Sequence, residues 1–426
     1  KTRIAHSYII LFLAAVVSAW AAQRLSGADI FYVAHDGSHT VPFDTWEKAA
    51  TNIHSATAIA VDNDEIIVTN GVYTITRQIS LTSGIKLKSV NGAAVTFIQA
   101  NRQSRCVFMN ASNALVQGFT LTGGNAGSAN YDEYPNYGGG AYIYRYGEVA
   151  NCIITNNTAG AGQASMGGGV YLYLGGTVTN CLIATNHAAY CGGGAAVFGG
   201  GALRTCVISN NVVSGSISPS SAGVHMQSFG GVGGSVETSV IANNLATGTG
   251  DAGGVYLDAG NTLDRCSVTG NRAYRNGGGV MFVFGGTARS CLIADNTAGS
   301  WGGGVFVSGN GSIQSCTVSG NRAAWGGGMY LISNGTMQNS IFYGNTASVA
   351  SGGDNYYLDS GSGQATYNCA SPAFAGIGNI SGDPLFTDSA AGNYRLLSAS
   401  PCIDTGVNQA WMQTSKDLDA KTRIIN

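Results

Sequence analysis

The 426-residue chain carries a net charge of −2, only 10 % charged residues and 64 glycines. Glycine stands at about twice its ordinary frequency without a collagen period, and the chain is too apolar and too weakly charged to be disordered. It has no basic stripe of the kind that marks a nucleic-acid surface, so nucleic acid is not an expected partner.

Residues 1–22 read as a secretory signal peptide. Lys1 and Arg3 form its positive end, Tyr8–Val17 is apolar, and Ala19-Trp20-Ala21 is a small-x-small cleavage site. The apolar run is too short for a membrane span, and no later stretch reaches about 18 apolar residues. The chain is therefore expected to be secreted, extracellular or at the cell surface. It begins without Met, and an incomplete start is expected.

Residues 23–63 open with an apolar strand, Ile30–Val33. An amphipathic helix is expected next, with Asp44 or Thr45 as its cap and Trp46, Ala49, Ala50, Ile53 and Ala56 or Ala60 at helical spacing. A stacked fold needs a cover for its first open end, and this helix is assigned that task.

From residue 64 to 359 the pattern is short β-rich runs separated by Gly and Asn, irregular at first (Ile66–Val68, Ile85–Lys88, Val95–Ile98, Val107–Met109, Val116–Leu121). A repeat then takes over. GGGVMFVFGGTARSCLIADNTAGSW is followed by GGGVFVSGNGSIQSCTVSGNRAAW, with the triple glycine at 277, 302 and 326, a period of 25 and then 24 residues. Coils in this frame start near Gly138, Gly167, Gly192, Ser221, Ala252, Gly277, Gly302, Gly326 and Ser351. The first eight carry a second landmark, Cys152, Cys181, Cys206, Ser239, Cys266, Cys291, Cys316 or Ser340. Five residues later stands Asn157, Asn186, Asn211, Asn244, Asn271, Asn296, Asn321 or Asn345. Thr120 with Asn125 is placed in the same frame.

This pattern predicts an all-β fold, a right-handed parallel β-helix. Equivalent residues of successive coils stack about 4.8 Å apart, so an inward asparagine at a turn can hydrogen-bond to those above and below it. Val170 and Leu172, Ala195 and Val197, Val255 and Leu257, and Val305 and Val307 form an expected inner row. The apolar residues three before and two after each cysteine join it. The six laddered cysteines read as small buried hydrophobes, and without a CxxC pair they do not suggest a metal site. Residues 360–426 read as a loop-rich closing segment that stops without a terminal element. Its Cys369 and Cys402 are the one candidate pair for a bridge in an exported chain, and their disulfide state stays open at this point.

These features resemble secreted bacterial right-handed parallel β-helix proteins of the pectin-lyase-like superfold. The coil pattern GGGV/A…CxI/VxxN is similar to the GGA(I/L/V) and FxxN repeats of chlamydial-type polymorphic outer-membrane proteins, with Cys where those often have Phe. The tail, SASPCIDTG followed by DLDAKTRI, looks like the choice-of-anchor Q segment of surface proteins. The resemblance implies a fold more than an activity, because adhesins, lyases, hydrolases and phage tailspikes share it.

Two functional readings follow from the residues. The outward row of the strand after the glycines holds Tyr142, Tyr144, Tyr171, Tyr173, Phe198, His225, Gln227, Tyr256, Asp258, Met281, Phe306, Tyr330 and Tyr357. Flat rings along one face can stack on sugar rings, which makes Tyr142, Tyr144, Tyr171, Tyr173, Phe198, Tyr256, Phe306 and Tyr330 the candidate ligand-binding set of an adhesin-like glycan binder. The same rings could instead stack on one another or under loops. The alternative is a polysaccharide lyase or glycoside hydrolase. A lyase needs acidic residues for Ca²⁺ and a basic residue for proton abstraction. Candidates are His225, Asp251, Asp258 and Arg272, with Asp251 and Asp258 as the metal ligands and Arg265 or Arg275 as alternative bases, while a hydrolase could use Asp258 and Asp264 as its carboxylate pair. Asp383, Asp388, Asp404, Asp417 and Asp419 in the tail are either Ca²⁺ ligands or turn formers.

Overall fold

The computed structural model describes residues 28–128, 135–160, 164–215, 220–359 and 363–423. The signal-peptide reading therefore lies outside the described residues. Parallel strands stack coil upon coil into sheets of 13, 11, 12 and 7 strands, and an antiparallel pair, Phe386–Asp388 with Asn393–Leu396, lies in the tail. One coil shows the plan. Val305–Ser308 belongs to the 11-stranded sheet, Ser312–Gln314 to the 13-stranded, Thr317–Ser319 to the 12-stranded and Arg322–Ala323 to the 7-stranded. The next coil then begins at Met329–Leu331.

The interior follows the alternation of the strands. Val305, Val307, Ile313 and Val318 are wholly buried, as are their equivalents in the other coils, and they join one continuous core. Large-to-small changes in such a core cost about 2–5 kcal/mol.

At the turn after the 12-stranded sheet the asparagines form an unbroken ladder. Each Nδ2 donates to the next Oδ1 at 2.9–3.1 Å, from Asn157 through Asn186, Asn211, Asn244, Asn271, Asn296, Asn321 and Asn345 to Asn355. Within it, Asn244 Nδ2 also donates to the Ile208 carbonyl at 2.9 Å, and Asn244 Oδ1 also accepts from the Asn211 N–H at 3.0 Å. Every polar atom of the buried amide is thus used.

The triple glycine is explained by this ladder. Gly302 sits at φ +67°, and a Cβ on Gly304 would lie 2.8 Å from Asn321 Nδ2. The first glycine turns the chain back, and the third makes room for the amide.

The cysteines occupy the preceding corner as buried free thiols. Cys152 N–H donates to Cys181 Sγ at 3.3 Å, Cys206 N–H donates to Ser239 Oγ at 3.0 Å, and Cys316 N–H to Ser340 Oγ at 3.1 Å. Ser therefore replaces Cys in kind.

Three expectations are corrected. The amphipathic helix of 44–60 is absent. Only Ile53–Thr57 is helical, capped by Asn52, while Ala50 N–H donates to the Tyr32 carbonyl and Ala34 N–H to that of Ala50. Pairing with the edge strand Ile30–Val33 holds residue 50 extended, and this outcompetes a helix. The first end of the core is covered by Phe43, Ala50, Ile53 and Ala56 from this loop and its single helical turn. The frame at Asn125 is one residue off: Ile153 pairs with Thr120, so Phe119 stands in the cysteine position and Gly124 in the asparagine position. Gly124 N–H donates to Asn157 Oδ1 at 2.8 Å and so begins the ladder. Finally, Met329 pairs with Tyr356, which makes Gly353, not Ser351, the start of the last glycine turn.

Candidate functional site

The outward row divides by position along the strand. Its first members, Tyr142, Tyr171, Tyr256, Phe306 and Tyr330, point away from the core and are nevertheless buried. The chain just before each triple glycine folds over them. Tyr137 stacks on Tyr171 at 4.8 Å and Trp301 on Tyr330 at 5.4 Å, while Tyr137, Met166 and Cys191 bridge to one another, as do Asn276, Trp301 and Trp325. These five rings form ladders under a cover, so the expectation that they present an open binding face is not met. Burial also pushes the phenols of Tyr171 and Tyr256 up.

The second members behave differently. Tyr144, Tyr173 and Phe198 pair in register on three successive coils and are half-buried. Tyr144 stacks on Tyr173 at 5.6 Å, and Phe229, 58 % exposed, comes within 6.3 Å of Tyr173. Phe229 arrives on a small hairpin closed by Gly230 and Gly231, in which Phe229 and Val232 exchange backbone hydrogen bonds at 3.1 Å. Tyr146 continues the exposed aromatic surface beyond Tyr144.

Beside these rings, at the corner between the 11- and 13-stranded sheets, lies an open trough of about 420 Å³. Gly175, Gly176, Gly201, Gly233, Gly234 and Gly260 line it, together with Thr177, Ser235, Thr262 and Arg204. The backbone there presses on the core: a Cβ at Gly176 would lie 2.4 Å from Ile143 Cγ2. Arg204 is held by Glu237 at 3.4 Å. The arrangement joins apolar rings on one side to hydroxyls and a guanidinium on the other, which suits a polyhydroxylated chain. Phe229, Val232 and the trough were not singled out from the sequence. The available signal was the clustering of glycine outside the triple-glycine frame, at 175–176, 199–201 and 230–234.

The proposed acid–base cluster does not converge. His225 is 3 % exposed, sandwiched between Phe198 at 5.6 Å and Tyr256 at 4.3 Å, with Nδ1 at 3.1 Å from Ser221 Oγ. Desolvation pushes its pKa down to about 3, so the imidazole is neutral and shielded from solvent. Asp251 is buried and accepts from Asn276 Nδ2 at 2.8 Å; Asp258, at the other end of the strand Val255–Leu257, accepts from Ala259 N–H at 2.7 Å. Arg272 is exposed on the 7-stranded sheet. Among the described residues no group of three or more His, Cys, Asp or Glu is placed to hold a metal ion, and Asp251 and Asp258 flank opposite ends of the strand Val255–Leu257. Asp264 is buried between Arg265 at 3.1 Å and Arg289 at 2.9 Å, an ion-pair role.

The tail aspartates mostly serve turns. Asp383 accepts from Leu385 N–H, Asp388 from Ala391 N–H and Asp417 from Lys421 N–H, while Asp419 pairs with Arg395. Among the described residues no helix is long and apolar enough to cross a membrane.

A family model described as right handed beta helix region matches residues 194–362. Among solved structures, the chain is similar to the crystal structure of pectate lyase Pel9A at 16 % identity and a TM-score of 0.49, covering 94 % of this chain and 98 % of that one. It is also similar to the Dettilon tailspike protein (gp208) at 12 % identity and a TM-score of 0.40, covering 82 % of this chain and 66 % of that one. No curated protein matches the sequence. The matched family region and the sheet order agree on one fold, a right-handed parallel β-helix.

Proposed function

We propose that this is a secreted or cell-surface protein that binds a polysaccharide in an adhesin-like manner, through the corner trough and the rings beside it. The observation that supports it is the line Tyr144, Tyr173 and Phe229, with Tyr144 stacked on Tyr173 and Phe229 tilted against it, partly open to solvent beside a trough lined with Thr177, Ser235 and Thr262. Rings of this kind cover the apolar faces of sugars while hydroxyls meet their polar edges. The export signal read in residues 1–22 is consistent with a ligand outside the cell. The lyase or hydrolase reading finds no comparable support, since His225, Asp251 and Asp258 each serve a structural partner.

The test is affinity electrophoresis of the full chain in gels containing pectate, alginate, xylan or mannan, with product analysis in the same samples. Retention on at least one polysaccharide is expected, falling about tenfold, or about 1.4 kcal/mol, in Tyr173→Ala/Phe229→Ala. Retention unaffected by that pair, or absent on every glycan, would remove the proposal. Appearance of unsaturated or reducing ends would replace it with the enzyme reading.

A further inference from the structure

Nine of the ten cysteines lie within the stack of coils, Cys369 on the last strand of the 12-stranded sheet, and Cys402 lies in the closing segment beyond it. Cys369 closes the last coil: its N–H donates to the Ser340 carbonyl at 2.9 Å, and Ala370 N–H donates to Ile380 at 3.1 Å. Cys402 comes from the closing segment, on a turn held by Ser400, whose hydroxyl accepts from Cys402 N–H at 3.2 Å and donates to the Pro384 carbonyl at 2.5 Å. The Cys369 thiol donates to the Gly382 carbonyl at 3.6 Å, two residues before the Pro384 that Ser400 holds. Both line a cavity of about 230 Å³ between the last coils and the tail, and Cys402 is partly open to solvent.

The ladder cysteines offer the contrast. Cys152 and Cys181 also lie in contact, but on consecutive parallel coils in identical register, each thiol donating to carbonyls, as Cys181 does to Thr179 at 3.2 Å. Parallel side chains aim the same way, so these buried thiols do not converge on one another as a bridge requires. Cys369 and Cys402 are on separate segments that approach each other.

We propose that Cys369 and Cys402 are a disulfide-forming site that fastens the closing segment to the last coil. The Cys402 thiolate attacks a sulfur of a small-molecule disulfide entering from the cavity, which forms a mixed disulfide and releases one thiolate. Cys369 then gives up its proton and attacks the Cys402 sulfur, expelling the second thiolate. Two protein thiols are oxidised and one disulfide is reduced to two thiols, so electrons balance. The Cys369 side chain beside it draws the Cys402 thiol down to about 7, which makes it the attacking group, while Cys402 in turn pushes Cys369 up.

The experiment equilibrates the purified full chain with oxidised glutathione, denatures it, blocks free thiols with iodoacetamide and digests it with trypsin. The expected product is residues 323–395 linked to residues 396–416, each of which contains one cysteine. This species is about 2 Da lighter than its reduced parts and disappears on reduction. Cys402→Ser should abolish it and leave Cys369 alkylated, and its partly open position in the closing segment makes it the variant that keeps the fold. In the native oxidised chain, proteolysis of the tail should slow several-fold, and reduction should restore the faster rate. Full alkylation of both cysteines after oxidation, or links confined to the ladder cysteines, would overturn the proposal. The outcome is independent of whether the chain binds a glycan.

Discussion

The two kinds of corner in each coil are built differently. At the asparagine turn, successive residues satisfy one another: Asn244 donates to Asn271, accepts from Asn211 and reaches the Ile208 carbonyl. At the corner between the 11- and 13-stranded sheets, no side chain passes a hydrogen bond along a ladder in this way among the described residues, and loop length varies. Tyr173 is followed by Leu174-Gly175-Gly176, whereas Gln227 is followed by the longer hairpin of Phe229–Val232 before the next strand at Ser235. A corner whose polar groups depend on the coil above must repeat. A corner that does not depend on it is free to vary, and the trough lies there.

This comparison can be broken most severely at the asparagines. Asn244→Ala would strand the Ile208 carbonyl and the donors of Asn211 in the interior. A loss of about 4 kcal/mol is expected in denaturant unfolding, since each buried orphan costs about 1–3 kcal/mol. Thr177→Val, at the variable corner, should change stability by less than about 0.5 kcal/mol. Equal losses at the two positions would contradict the distinction.

A second effect depends on pH and tests the covered outer row. His225 titrates at about 3 in the folded chain against 6.5 ordinarily. Between those values the unfolded chain binds a proton that the folded one does not. Stability from this group is therefore full above pH 6.5 and falls as pH drops toward 3, by about 1.4 kcal/mol per unit at most. Unfolding of the wild type and of His225→Gln, compared from pH 7 to 4.5, should show a shallower decline in the variant. Parallel curves would mean that His225 is accessible in solution. A small effect is also expected at the cysteine corner, where Cys266→Ser should cost about 1 kcal/mol or less, because Ser239 and Ser340 accept the equivalent backbone N–H on other coils.

Legibility in the sequence follows the same division. Coil interior, cysteine corner and asparagine turn were readable because stacking forces one residue type to recur, and Val305, Val307 and Asn321 are where the period puts them. Alternation also assigned Tyr171 and Tyr256 correctly to the outward side. It gives direction and not cover, and Tyr137 and Trp301, which build the cover, lie before the glycines in another part of the repeat. The helix at 44–60 was over-read because the apolar spacing was right (Ala49, Ala50, Ile53 and Ala56 are all buried) while Ala50 had a strand to pair with. Asn125 was misplaced because Phe119 replaces the cysteine that marks the frame. The trough lies in the loops that break the period, so no repeat points to it.

The most direct test separates the two rings of one strand. Tyr171 and Tyr173 are two residues apart on the same face, the first covered and the second open at its edge. Retention on the bound polysaccharide and thermal unfolding would be measured for Tyr171→Ala and Tyr173→Ala side by side. The account predicts that Tyr171→Ala destabilises by about 3 kcal/mol or more and keeps its retention while folded, whereas Tyr173→Ala melts near the wild type and is retained more weakly, by up to about tenfold. Lost retention in a fully folded Tyr171→Ala, with Tyr173→Ala retained like the wild type, would contradict it.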